Sequence, residues 1–426
     1  MVTLTNTSRT LVLALLPALG ACRNAPTNTP GSDSTRVQEP RPLRAVLFGY
    51  IPDAGQDDFA GLIKILEDDF EAQHPDIDLR LVIDVNIDLY DLAPEGQLAT
   101  YFGAGEGSVD VLELDMVLLG DLVANGWLAP ARIEVPEIVA AAQEAVTQGG
   151  TSYGVPTYLC GNFIYSHAPG LEEAHNASEL LAILGEAAGP DLPALIGNYV
   201  GSWTLPSVYL DAWADGHDNA PDVVQTAYAL PLDDATMGPL GALAAACASD
   251  GKNPCLDSTF KYNSKAEETF ARGQSGGFIG YSERLYYIIT GDPAAALPKV
   301  ISAPMSDGSK PTLFTDALVT SAKCSGPCRD DADLFISFMS DLERRQLIAF
   351  SQDVPENAPT GVTPRYLLQA LSSFYTAEPA ASDPIYRALQ PTVTSEGRGF
   401  PSHGFPEARG DLNSALTEAL KTKQLE

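Results

Sequence analysis

Positive charge is what this 426-residue chain is short of: 25 Lys and Arg stand against 56 Asp and Glu, a formal net charge of −31. Most of these charges serve solubility, but so acidic a surface repels phosphate backbones and anionic headgroups. That argues against nucleic acid and leaves a mild attraction for cationic small molecules. Histidine is scarce, five in all, and His167 and His217 have neither metal-ligand nor triad spacing. Beyond the N-terminal region no apolar run is long enough to cross a membrane. There is no repeat at fixed period. What the chain does have is 45% hydrophobic residues, ample for a large core built as two or three domains or as one bilobal unit.

Arg9, the apolar run Leu11 to Leu19 and then Leu19-Gly20-Ala21-Cys22 read as a secretory signal over residues 1–21. Cysteine directly after Leu-Gly-Ala resembles the bacterial lipobox, so Cys22 is expected to carry lipid and anchor the chain outside the cytoplasm. The alternative is an ordinary signal peptide in which Cys22 is incidental. Residues 22–43, rich in Pro, Ser, Thr and Asn, read as a flexible tether. Of the other cysteines, Cys247 and Cys255 flank one polar loop, and Cys324 and Cys328 flank Ser-Gly-Pro. Each pair can close a local disulfide. Zinc competes for the four, without a nearby histidine and with unequal spacings. Local pairing leaves Cys160 alone, either buried and inert or a reactive thiol.

Strand-like segments at Ala45–Phe48, Leu79–Val85 and Val109–Leu114 alternate with a helix in which Phe59, Leu62, Ile63, Leu66 and Phe70 recur at helical spacing. Further strands are expected at Phe278–Tyr281, Lys299–Ser302 and Ala317–Ser321, and a helix carrying Phe335, Phe338, Met339 and Leu342 ends near Phe350. The pattern is α/β with a mostly parallel sheet, whose ligand contacts sit at the carboxyl ends of strands. Tyr50, Tyr90, Asp91 and Asp115 follow strand-like segments and are candidates by position.

This order resembles the extracellular solute-binding proteins with a type II periplasmic-binding fold, as does His74-Pro75-Asp76 after the first helix. The resemblance implies two lobes about a hinged central cleft. Lobe 1 is then residues 44–155 plus about 300–355, and lobe 2 is 156–299 plus about 356–426.

Two segments carry a sharper likeness: Tyr153-Gly154-Val155-Pro156-Thr157-Tyr158-Leu159-Cys160-Gly161-Asn162-Phe163 and Phe278-Ile279-Gly280-Tyr281-Ser282-Glu283. With Tyr50-Ile51-Pro52-Asp53, Glu113-Leu114-Asp115, Gly201-Ser202-Trp203-Thr204-Leu205-Pro206 and Phe314-Thr315-Asp316, they resemble the thiaminase I (thiamine pyridinylase) family. The resemblance implies Cys160 as nucleophile and Glu283 as the base that generates its thiolate. It implies a cleft lined by Tyr50, Tyr90, Asp91, Asp115, Tyr281, Phe314 and Asp316. Phe48 and Phe314 stand where the family has tyrosine, so ring stacking is kept and two hydroxyls are lost.

The enzyme so implied displaces the thiazole of thiamine, or of a related pyrimidine-thiazolium, and passes the pyrimidine to an aromatic amine or thiol. It needs no metal and no bound cofactor, touches a membrane only through its lipid, and is expected to be a monomer. The competing function is a lipid-anchored receptor that delivers thiamine or another heterocycle to a transporter. A sugar receptor is a weaker third reading, since the chain has three tryptophans.

Overall fold

The strand read at Ala45–Phe48 is β1 (Arg41–Leu47), and it begins inside the segment assigned to the tether. Arg41 explains the earlier start: its guanidinium bonds Asp331 at 2.8 and 2.7 Å, and the strand pairs in parallel from Arg41 onward with β2 (Ile77–Ile83). The computed structural model describes residues 39–217, 226–261, 264–305, 310–355, 358, 362–399 and 403–423. The expected signal segment and Cys22 lie outside the described residues.

The remaining strands are β3 (Val111–Asp115), β4 (Thr147–Gln148), β5 (Thr151–Ser152), β6 (Gly154–Cys160), β7 (Phe163–Ser166), β8 (Leu195–Gly197), β9 (Gly277–Gly280), β10 (Lys299–Ser302), β11 (Thr312–Thr320), β12 (Leu368–Gln369) and β13 (Arg398–Gly399). The first sheet runs β12-β6-β11-β3-β1-β2, with β13 beside β11, and the second runs β10-β7-β9-β8. β1 lies parallel to both β2 and β3, whereas β11 returns from far along the chain and inserts antiparallel between β3 and β6. That insertion makes the first lobe discontinuous.

The crossings differ from the expected boundaries. β6 stays in the first sheet through Cys160, because its residues pair with β11 and β12 along its length; the chain leaves only at Gly161-Asn162, before β7. It returns after Ser302 and before Thr312. β12 keeps the segment near Leu368 on lobe 1, and the helix Pro384–Pro391, packed on β10, is the first later element of lobe 2. Cys160 is therefore the last residue of a lobe 1 strand.

Helices cover the sheets through regular apolar stripes. Leu62, Leu66 and Phe70 are buried on the helix Ala60–Gln73, which ends where His74 precedes Pro75 and cannot hold helical geometry. The Phe70 ring, fully buried, meets Phe335 and Phe338 edge-on at 5.6 and 5.4 Å. Burial of such a side chain stabilises by roughly 1.5–3 kcal/mol. The helix expected to run to Phe350 is two, Pro327–Ser340 and Leu342–Ala349, because Asp341 between them is extended (ψ 138°). Both local disulfides form, Cys247–Cys255 and Cys324–Cys328, and among the described residues Cys160 is the free thiol.

Candidate active site

Strand ends and the turns after them create a cavity of ≈ 520 Å³ lined from both lobes. Cys160 reaches it from the carboxyl end of β6, directly opposite Phe314 of β11. The next residue is glycine for a steric reason: a Cβ at Gly161 would sit 3.0 Å from the Thr312 carbonyl. Burial pushes the Cys160 thiol up, and the carboxylates of Asp316, Glu283 and Asp115 push it further, so the resting sulfur is protonated.

Glu283 enters from the turn between β9 and the helix Arg284–Gly291. Tyr165 of β7 holds that turn, its hydroxyl donating to the carbonyls of Tyr281 (2.9 Å) and Ser282 (3.3 Å). Burial raises the Glu283 carboxyl to about 7, with the neighbouring Arg284 guanidinium pulling the other way. A carboxylate with such a value is poised to take a proton near neutral pH.

The acidic wall is a cross-strand pair. Asp115 ends β3, and Asp316 stands opposite it in register on β11. Against β6 the register slips at this point, where Thr157 and Tyr158 of β6 stand opposite Asp316 alone, so the extra residue belongs to β6. Asp115 accepts from the Val117 N–H at 2.9 Å and from the Tyr90 hydroxyl at 3.3 Å. Burial nevertheless lifts its carboxyl to about 6. Asp316 is pushed up by burial and then by Asp115, since two facing carboxylates resist ionising together.

Aromatic rings close the same side. Phe48 meets Tyr50 edge-on at 5.0 Å, Tyr50 lies 6.1 Å from Tyr90, and Tyr90 packs on Trp203. Tyr281 lines the cavity with its hydroxyl 2.5 Å from that of Ser207. The structure thus brings together Cys160, Glu283, Tyr50, Tyr90, Asp115, Tyr281, Phe314 and Asp316.

Asp91 is the exception and corrects the expectation. It is not among the lining residues; its carboxylate accepts from the N–H groups of Ala93 (3.1 Å) and Gln97 (3.3 Å), folding the loop that presents Tyr90. His217 and His167 stay outside the cavity, the first bonded to the Trp213 carbonyl and the second stacked on Phe270. Sequence reasoning missed Asn198, Trp203, Ser207, Lys261, Glu267, Arg284 and Tyr287 as lining residues. Asn198 follows β8 directly and could have been found as a strand-exit residue, and Trp203 lies within the motif Gly201-Ser202-Trp203-Thr204-Leu205-Pro206; the others come from helices and loops with no local signature.

Among solved structures the chain is similar to Clostridium botulinum thiaminase I in complex with thiamin, at 19% identity and a TM-score of 0.70, covering 89% of this chain and 100% of that one. It is similar to thiaminase I from Bacillus thiaminolyticus at 24% identity and a TM-score of 0.67, over 89% and 99% of the two chains. It also resembles the maltose-bound MalE3 of T. maritima at 15% identity and a TM-score of 0.61, over 89% and 99%. At these identities the likeness establishes a two-lobed α/β binding-protein fold. Comparison with curated protein sequences finds no match. Residues 53–317, more than half of the chain, match the model for the bacterial extracellular solute-binding proteins, and the chain belongs to that family.

Proposed function

We propose that this exported protein is a thiamine-cleaving transferase of the thiamine pyridinylase type. The observation that carries the reading is the free thiol of Cys160 lining one cavity with Glu283, whose carboxyl is raised to about 7. A receptor that only binds has no use for that pair. The acidic pair and the aromatic wall suit a flat cationic heterocycle, each ring contributing on the order of 0.5–2 kcal/mol.

In this reading Glu283 takes the Cys160 proton and the thiolate adds to the pyrimidine ring. The thiazole leaves the bridging methylene as a neutral molecule, keeping the C–N bonding pair. Glu283 then gives the proton it holds to solvent; an amine or thiol bonds to that methylene, its proton passes to the freed Glu283 carboxylate, and Cys160 departs as thiolate with the C–S pair. The sum is one thiamine cation and one acceptor giving the pyrimidine adduct, free thiazole and a proton. Lipidation of Cys22 and a monomeric state complete the proposal.

Intact-mass analysis after incubation with 4-amino-6-chloro-2-methylpyrimidine, beside thiamine turnover with aniline, tests it. Labelling at Cys160 and release of thiazole are expected. Family membership favours one alternative, a tethered receptor for thiamine or a similar heterocycle. Tight thiamine binding with neither labelling nor turnover would establish that alternative instead.

A further inference from the structure

The helix that follows Glu283 touches both lobes. Within lobe 2 its first turn is pinned by Arg284, whose Nε donates to the buried Glu267 and whose Nη2 donates to Ser264 Oγ at 3.3 Å. Tyr286 lies in the same turn, its N–H donating to the Glu283 carbonyl at 3.2 Å. Its ring is buried in a small apolar cluster with Ala54 and Val354, separate from the two larger cores. Ala54 follows β1 and Val354 follows the helix Leu342–Ala349, so both partners belong to lobe 1. Arg365, fully buried, joins the two loops that form this socket. Its Nε donates to the Pro52 carbonyl at 2.8 Å, and its Nη1 and Nη2 grip the two Asp353 carboxylate oxygens at 2.7 Å each. Burial raises the Tyr286 hydroxyl, with Arg365 opposing and Asp53 and Asp353 adding to the rise, so the side chain senses that same joint.

We propose that Tyr286 is a positioning residue for the reaction: by seating between Ala54 and Val354 it ties closure of the cleft to the placement of Glu283 against Cys160. The inference rests on the transfer reading and deepens it by naming what assembles its two reactive groups. Cys160 ends a strand of lobe 1, whereas Glu283 belongs to a turn of lobe 2, so their separation depends on how the lobes sit. Placing reacting groups correctly is a large part of catalysis, and an error of about 1 Å can cost on the order of a hundredfold. With Tyr286 seated, the turn that carries Glu283 is braced against lobe 1 and water is kept from its carboxyl. With Tyr286 withdrawn, the base is hydrated and stands away from the thiol. The step served is passage of the Cys160 proton to Glu283; Tyr286 itself gives and takes no proton. Arg284, Tyr287 and Glu267 bear on Glu283 from lobe 2, Tyr165 and Tyr281 beside its turn, and Cys160 and Asp316 across the cleft. Substitution at 286 or 354 leaves all of these side chains in place, so it reaches Glu283 through docking and hydration alone.

The test follows thiamine turnover with aniline across pH in native protein and variants. Tyr286→Ala should lower kcat by about tenfold to a hundredfold. It should also move the acidic limb of kcat/KM down by at least about one pH unit, because burial is the leading cause of the raised Glu283 value. Tyr286→Phe keeps the ring and should rescue both. Val354→Ser attacks the socket from lobe 1 without altering the Glu283 helix, and should move the limb in the same direction. In a Glu283→Gln background Tyr286→Ala should cost little more, since its effect passes through the base. The position of the limb does not depend on how much of a variant is folded. An unmoved limb and kcat in Tyr286→Ala overturn the assignment and leave the transfer reading intact. So does a limb that shifts in Tyr286→Ala but not in Val354→Ser, which would make Tyr286 a shield within lobe 2. A loss of the same size with and without Glu283 likewise overturns it, as an effect on the fold at large. No turnover by the native protein overturns both readings together.

Discussion

The ring of Tyr90 meets that of Trp203 with centroids 3.9 Å apart, inclined at 43°. Tyr90 comes from the loop after β2 in lobe 1, and Trp203 from the approach to the lobe 2 helix Thr204–His217. The contact therefore ties the two walls of the cavity, while the Tyr90 hydroxyl reaches Asp115. The C-terminal helix Phe405–Lys423 backs it, with Phe405 5.2 Å from Trp203 and the Arg409 guanidinium 4.3 Å over the indole.

Replacing the indole should loosen ligand binding more than chemistry. Trp203→Leu keeps an apolar side chain but loses the stacking, worth about 0.5–1.5 kcal/mol. Steady-state kinetics should show KM for thiamine raised by about 2–12-fold, the same energy expressed as a ratio, with kcat nearly unchanged. An equal fall in kcat would assign the stack to the reacting centre instead.

The two reactive residues should fail differently. Cys160→Ser should abolish both pyrimidine labelling and turnover. Glu283→Gln should keep the fold and lower kcat by about 10²–10⁴, the usual contribution of a positioned base. Retention of native rates by either variant, measured as thiazole release, removes that residue from the mechanism.

The pH profile has a defined direction. In the proposed mechanism Glu283 acts as base only when ionised, and burial raises its carboxyl to about 7. The kcat/KM profile should fall tenfold per pH unit below about 7 and level off above it. Glu283→Gln should remove that limb.

Stability should respond to Asp115 in the opposite sense from a salt-bridged carboxylate. Burial lifts it from 3.8 to about 6 in the folded protein, which therefore holds the proton more tightly than the unfolded chain does. Its contribution favours folding at low pH and is lost as pH rises from about 4 to about 6. Asp115→Asn should gain stability over the native protein between pH 4.5 and 7.5, read from melting temperatures at both values. A constant difference across that range would refute the argument.

Asp91 should matter for the loop alone. Asp91→Ala removes the acceptor for the Ala93 and Gln97 N–H groups, and losses of such caps cost about 0.5–2 kcal/mol. Thermal unfolding should register the loss, whereas KM for thiamine should hold. A rise in KM comparable to that of an Asp115 variant would return Asp91 to the binding wall.

Much of this protein was legible in one dimension, for local reasons. Strand and helix periods marked β1, β2, β3, β9 and the helix Ala60–Gln73, and loop spacing identified both disulfides. Residues immediately after strand-like segments, such as Tyr90 and Asp115, could be nominated because strand exits point at ligands in such sheets, whereas Cys160 and Glu283 were named by the resemblance. Asp91 was nominated on the same argument, yet its neighbours in the chain supply backbone donors that claim the carboxylate.

What tertiary structure decided depends on contacts between residues far apart in the chain. Pairing with β11 and β12, which come more than a hundred residues later, keeps β6 in lobe 1 as far as Cys160 and moves the crossing to Gly161-Asn162. The extra residue in β6 falls opposite Asp316, and the regular register with β3 puts Asp316 opposite Asp115. The lobe 2 wall around Arg284 joins segments that carry no shared pattern in sequence. The sequence by itself determined the elements and the α/β class, because period and turn chemistry act over a few residues, while its likeness to known families implied the two lobes and the Cys160–Glu283 pair. Which groups share a cavity, and with what charge, is set by long-range pairing and burial, and these exist only once the chain has folded.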